Sequence, residues 1–166
     1  MEPAVLNFVE AARGFRGSLA DGSPVERREY ARLVRNAIAR VYLAAAYLPS
    51  PGAVTSEEIS SSVYDHAASA TLRESIAARF ADYDVFVDVW DPTGLTDEDR
   101  PPIERSLSQE LVEIDDELAN ALRWLTDPES PADVLWDVAW AFENHWGTHA
   151  VAVLRPLHQI AVRGVG

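Results

Sequence analysis

Leu107-Ser108-Gln109-Glu110-Leu111-Val112-Glu113-Ile114-Asp115-Asp116-Glu117-Leu118 is the stretch on which the fold turns. With its flanks, its apolar residues fall at Ile103, Leu107, Leu111, Ile114, Leu118, Leu122 and Leu125. Spacings of three and four place all of them on one stripe of an α-helix. A stripe of that length must be buried against other elements. Glu110, Glu113 and Glu117 stand at i, i+3 and i+7, so they share a second face of the same helix.

The rest of the chain repeats the helical period. Val5, Phe8, Val9, Ala12, Phe15 and Leu19 form a first stripe, ended by Asp21-Gly22. Ser23-Pro24-Val25-Glu26 has the form of a capping box. It opens a second helix with Tyr30, Leu33, Val34, Ala37, Ile38, Val41, Ala45 and Leu48 on its apolar face. Pro49-Ser50-Pro51-Gly52 stops that helix. Thr55-Ser56-Glu57-Glu58 and Thr71-Leu72-Arg73-Glu74 are two further boxes, the second opening a helix with Leu72, Ile76 and Phe80 aligned. The serines and alanines between them predict a broken helix. Val85 to Trp90 alternates imperfectly; a strand there would have no partner for its backbone, so it is not read as one. Asp91 to Pro102 reads as a loop. Ser130-Pro131-Ala132-Asp133 caps a last long helix carrying Val134, Leu135, Val138, Phe142, Trp146, Val153 and Leu157, with Pro156 expected to kink or split it. The expectation is an all-α, up-and-down bundle of five to six helices, with residues 1–166 as a single helical domain.

Composition narrows the chemistry. The chain has 166 residues and no cysteine, which removes disulfides, thiolate nucleophiles and thiolate metal sites. All 14 basic residues are arginine, so Schiff-base and P-loop lysine chemistry are excluded. Net charge is −13, and a pI near 4.6 argues against nucleic acid as a partner. The first forty residues hold seven arginines against five acids; the other seven arginines face 22 acids. Arg28, Arg32 and Arg35 are therefore expected to dock on Asp115, Asp116 or Glu117. The opening Met1-Glu2-Pro3 has no basic segment, so no signal peptide is expected. The longest apolar run, Val41 to Leu48, is too short for a membrane span. These features predict a cytoplasmic protein with no membrane partner. No cofactor motif is present and no cofactor is expected.

Four segments carry a family resemblance. They are Val41-Tyr42-Leu43-Ala44-Ala45-Ala46-Tyr47-Leu48-Pro49, Trp90-Asp91-Pro92, Ser106-Leu107-Ser108-Gln109-Glu110-Leu111-Val112-Glu113-Ile114, and His145-Trp146-Gly147 followed by Leu154-Arg155-Pro156-Leu157-His158. In order and spacing these resemble the bacterial domain-of-unknown-function family 5063, over roughly Asn7 to Val162. The resemblance implies a small all-helical bacterial protein. It brings no established catalytic residue.

The candidate site residues cluster late in the chain. His145 and His149 are four apart and share a helix face. With Glu110, Glu113 and Glu117 they would make an imidazole-and-carboxylate metal site in a bundle core, although the Glu-x-x-His spacing of di-iron bundles is missing. The competing reading is a hydrogen-bonded histidine beside ion-paired glutamates. Trp136, Trp140 and Trp146 offer an aromatic wall for a ligand or partner, and the competing reading is core. Gly147 is expected to admit another helix close to Trp146. His145, Trp146, His149, Trp136, Trp140 and Asp91 are the candidate binding residues. No nucleophile elbow, phosphate-cradling loop or calcium loop is present. The leading expectation is a non-enzymatic interaction or accessory protein, with a protein partner or a second copy of itself. The alternative is a metal-dependent enzyme using the His/Glu set.

Overall fold

The computed structural model describes residues 2–23, 25–49, 65–89, 101–128 and 134–163. Its elements run α1 (Pro3–Ala20), α2 (Arg27–Ala46), α3 (His66–Phe80), a 3-10 turn (Ala81–Tyr83), β1 (Val85–Asp88), β2 (Ile103–Ser106), α4 (Leu107–Thr126), α5 (Val134–Ala141), a π-helical turn (Phe142–Trp146) and α6 (Gly147–Arg163). The all-α expectation holds. Because the π turn joins α5 to α6 end to end, the six α-helical segments among the described residues make five rods.

The predicted stripes are the buried ones. Val5, Phe8, Val9, Ala12, Phe15 and Leu19 of α1 meet Tyr30, Val34, Ile38, Val41 and Ala45 of α2, and Leu107, Leu111, Ile114 and Leu118 of α4, in one apolar cluster. Each fully buried side chain of this kind contributes about 1.5–3 kcal/mol relative to exposure. Helix α6 runs antiparallel to α2: Arg28 near the start of α2 donates to Ala161 O at 2.9 Å, while Tyr42 near its end packs its ring 5.1 Å from that of Phe142. Leu33 departs from its predicted stripe and is exposed.

The largest correction concerns β1. Val85–Asp88 is a strand, paired antiparallel with Ile103–Ser106 in the register Val85↔Ser106, Phe86↔Arg105, Val87↔Glu104 and Asp88↔Ile103. Its partner was hidden because Ile103 also fits the helical stripe of α4. Helix α4 instead starts at Leu107, where Ser106 caps it by accepting from Gln109 N at 3.2 Å. Asp84 reinforces that start. Its carboxylate accepts from Ser108 N at 2.8 Å and from the hydroxyls of Ser106 and Ser108 at 2.8 and 2.9 Å, and its carbonyl accepts from Leu107 N at 2.7 Å.

Two capping boxes also fail. Helix α3 begins at His66 because the Asp65 carboxylate accepts from Ala67 N and Ala68 N at 3.2 and 3.1 Å. Thr71 lies within that helix and donates back to Ala67 O at 3.0 Å. Ser23 does not cap α2: its backbone N–H donates to Asp21 Oδ1 at 2.9 Å, and α2 starts after Glu26 without a side-chain cap. Asp91, Pro24, the box at residues 55–58 and the box at residues 130–133 lie outside the described residues.

The histidine-bearing stretch is where the last helix changes period. Phe142–Trp146 forms a π turn, and Gly147 resumes the α-helix, which runs on through Pro156 to Arg163 without splitting. Gly147 is needed for the turn itself. A Cβ there would collide with the carbonyl oxygen of Phe142 and reach 3.2 Å from its ring. Trp146 is core, 1% exposed, with ring centroids 6.5 Å from Phe8 and 4.9 Å from Phe142.

Two measurements follow from this packing. Trp146→Ala should lower unfolding stability by ~3–5 kcal/mol in denaturant melts, because it opens a cavity between α1 and the π turn. Gly147→Ala should cost about 1–3 kcal/mol, the usual penalty of forcing atoms into a filled space. A wild-type midpoint for Gly147→Ala would show that the π turn relaxes freely.

Candidate functional site

Helix α4 presents its acids to three neighbours. Asp115 takes the Arg16 guanidinium of α1 at 2.9 and 3.3 Å. Asp116 accepts from Ser69 Oγ of α3 at 2.8 Å. Glu110, Glu113 and Glu117 face α6 and the π turn. The arginine stripe of α2 reaches none of them. Arg32 pairs with Glu29 on its own helix at 2.6 Å, Arg35 donates to Asn36 Oδ1 at 2.9 Å, and Arg28 takes the backbone carbonyl of Ala161. The predicted docking of Arg28, Arg32 and Arg35 on α4 is therefore wrong. Helix α2 turns that face toward α6 and solvent, and the acidic face of α4 lies against α1, α3 and α6.

The predicted histidine–glutamate set converges. Because α4 and α6 run antiparallel, His149 meets Glu110 and Glu113, and His145 meets Glu117 two turns further along α4. Nδ1 of His149 lies 2.6 Å from Glu110 Oε2 and 3.3 Å from Glu113 Oε2. Nδ1 of His145 lies 3.2 Å from Glu117 Oε1. The two imidazoles meet edge to face at 4.9 Å. These distances are hydrogen-bonding distances, so the resting arrangement is a hydrogen-bonded seam between α4 and the last helix.

Arg105, missed in the sequence, completes the site. It stands on β2 one residue before the α4 cap. Its Nε donates to Glu110 Oε1 at 3.0 Å, and its Nη2 donates to Glu110 Oε2, a bidentate pair. Nη1 donates to Asp88 Oδ2 of β1 at 3.0 Å, and Nη2 also lies 3.2 Å from His149 Nδ1. The strand pairing was the signal that would have found it. Phe86 sits opposite Arg105, and Asp88, two residues on, shares its face.

Electrostatics separate the two buried acids of α4. Burial pushes the Glu110 carboxyl up, but hydrogen bonds from His149 and Arg105 outweigh it and hold the group below the usual glutamate range. Burial also pushes Asp115 up, and here it prevails over Arg16, with Asp116 adding to the rise. A carboxyl whose folded pKa is raised binds its proton more tightly in the folded state. Its ionised form therefore costs stability at neutral pH, and that cost fades as pH falls through the raised value.

Trp136 and Trp140 stack at 6.4 Å and 29°, away from this seam. Trp136 is half-buried and Trp140 is 52% exposed. Trp146, by contrast, belongs to the core and cannot contact a ligand from solvent.

Asp115→Asn should be at least as stable as the wild type at pH 7 in urea unfolding. Its advantage should shrink as pH falls through the raised Asp115 value, where the wild-type group takes up its proton. A loss of stability at pH 7 would mean that the Arg16 pair outweighs the burial cost.

No curated protein matches this chain. A solved structure, protein BF1032 from Bacteroides fragilis, a structural-genomics target, superposes with a TM-score of 0.75 at 20% identity, over 96% of this chain and 92% of that one. At that identity the likeness shows a shared fold. The sequence profile of Domain of unknown function (DUF5063) matches residues 1–163, which takes in the whole of the Asn7–Val162 stretch on which the resemblance was read. The chain belongs to the DUF5063 family.

Proposed function

We propose that this chain is a non-enzymatic accessory protein of the bacterial cytoplasm that works by binding another protein. The observation that carries the reading is the Trp136–Trp140 stack, with Trp140 about half exposed. A large indole held in water at the surface is costly unless something covers it, and tryptophan is enriched where proteins bury their anchors. Leu43, 59% exposed, and Tyr47, 73% exposed, stand at the same end of the bundle, since Tyr42 packs on Phe142 just beyond α5. Absence of cysteine supports a reducing compartment. No helix among the described residues is long and apolar enough to cross a membrane.

A metal-dependent enzyme is the second reading, favoured by the convergence of Glu110, Glu113 and His149. It ranks lower because the three groups lie in an ion-paired seam between α4 and α6, where an ion would join helices rather than meet a substrate.

The test is Trp140→Ala. It should leave the unfolding free energy within about 1 kcal/mol of wild type, as for a surface site. It should weaken the bound partner, or self-association seen by light scattering, by at least ~2 kcal/mol, the scale of an interface anchor. A chain that stays monomeric at high concentration, and whose partners are retained by Trp140→Ala, overturns the reading.

A further inference from the structure

We propose that Glu110, Glu113 and His149 form a binding site for one divalent transition-metal ion of the zinc type, which staples α4 to α6. This goes beyond the accessory reading and does not depend on it. One donor atom from each residue lies within 4.8 Å of the other two. His149 Nδ1 stands 2.6 and 3.3 Å from the facing glutamate oxygens. A tetrahedral ion with bonds of roughly 2.0–2.1 Å holds its donors roughly 3.3 Å apart, so His149 and Glu113 already stand at that spacing and Glu110 must draw back from its 2.6 Å contact to admit the ion. An imidazole nitrogen with two carboxylates selects a transition ion over magnesium or calcium, which take oxygen.

The surroundings have the form of a supporting shell. Gln109 Nε2 donates to Glu113 Oε1 at 3.1 Å, which leaves Oε2 turned to His149. Arg105 fixes the plane of Glu110, and Asp88 fixes Arg105. Such partners orient metal ligands and set their basicity. Charge favours the ion as well. Within the group of Asp88, Arg105, Glu110, Glu113 and neutral His149, three carboxylates meet one guanidinium, and a divalent cation cancels the remaining two charges. Glu113 is partly exposed, which opens a path from solvent. Zinc takes an imidazole nitrogen only in its unprotonated form, so uptake weakens in acid.

The experiment titrates Zn²⁺ into chelator-stripped full-length protein, followed by calorimetry and thermal unfolding, with Mg²⁺ as the control ion. The expected result is one zinc per chain and a midpoint that climbs with free zinc, while Mg²⁺ does nothing. His149→Gln and Glu113→Gln should each weaken zinc at least ~10-fold. His158→Gln, on a surface histidine of α6 that faces Arg35 of α2, should bind as wild type. Glu113→Gln alters the most exposed of the three ligands, so it keeps the test decisive if His149→Gln fails to fold. No saturable zinc binding, binding that survives Glu113→Gln, or binding lost with His158→Gln overturns the proposal. Either outcome leaves the Trp140 experiment to stand by itself.

Discussion

Asp84 holds the one strand ribbon among the described residues, β1–β2, to the helix that organises everything else. Its carboxylate and carbonyl together take four donors from the segment Ser106–Ser108. A two-stranded ribbon is marginal by itself, and here each strand is only four residues long. Anchoring it through Asp84 ties the end of α3 to the first turn of α4, so those helices must run antiparallel. It also places Arg105 immediately before the cap, within reach of Glu110 one turn into the helix. The ion-paired seam therefore rests on an aspartate that takes no part in it.

The acids of α4 show what a partner must supply to make burial tolerable. Glu110 and Asp115 are both 6% exposed, yet their carboxyls shift in opposite directions. Glu110 meets a guanidinium on both oxygens and an imidazole besides. Asp115 meets the guanidinium of Arg16, whose side chain is 41% exposed and shares its charge with water. Two half-buried cationic or polar partners outweigh desolvation; one largely solvated partner does not. Removing a charge from water is costly enough that such seams act as registers between helices at least as much as they add stability.

The π turn links the seam to the core. Phe142–Trp146 carries both an aromatic chain, Phe8–Trp146–Phe142–Tyr42, that ties α1 to α2, and His145, which meets α4. Changing the helical period at this point turns Trp146 inward while keeping both imidazoles toward α4. Gly147 allows it, since any side chain there would strike the Phe142 carbonyl. Short π segments inside α-helices are rare and are found frequently at functional sites.

Apolar periodicity alone determined the helical class, the buried faces of α1, α2, α4 and α6, and the sharing of one face by His145 and His149, because burial enforces the 3.6-residue repeat. Absence of lysine and cysteine likewise fixed which chemistry is unavailable. Pairing across distance escaped that logic. Ile103 satisfied the helical stripe and the strand equally, so β2 and its partner β1 stayed invisible, and Arg105 with them. Thr71 matched a cap motif, but Asp65 was better placed to fill the role. The arginines of α2 had complementary charges elsewhere in the chain, yet charge balance carries no information about which helices touch. Only the tertiary structure decided that Arg16 meets Asp115, that Arg105 meets Glu110, and that Trp146 is core while Trp140 faces water. Those outcomes depend on the relative placement of separate helices, which no local pattern encodes.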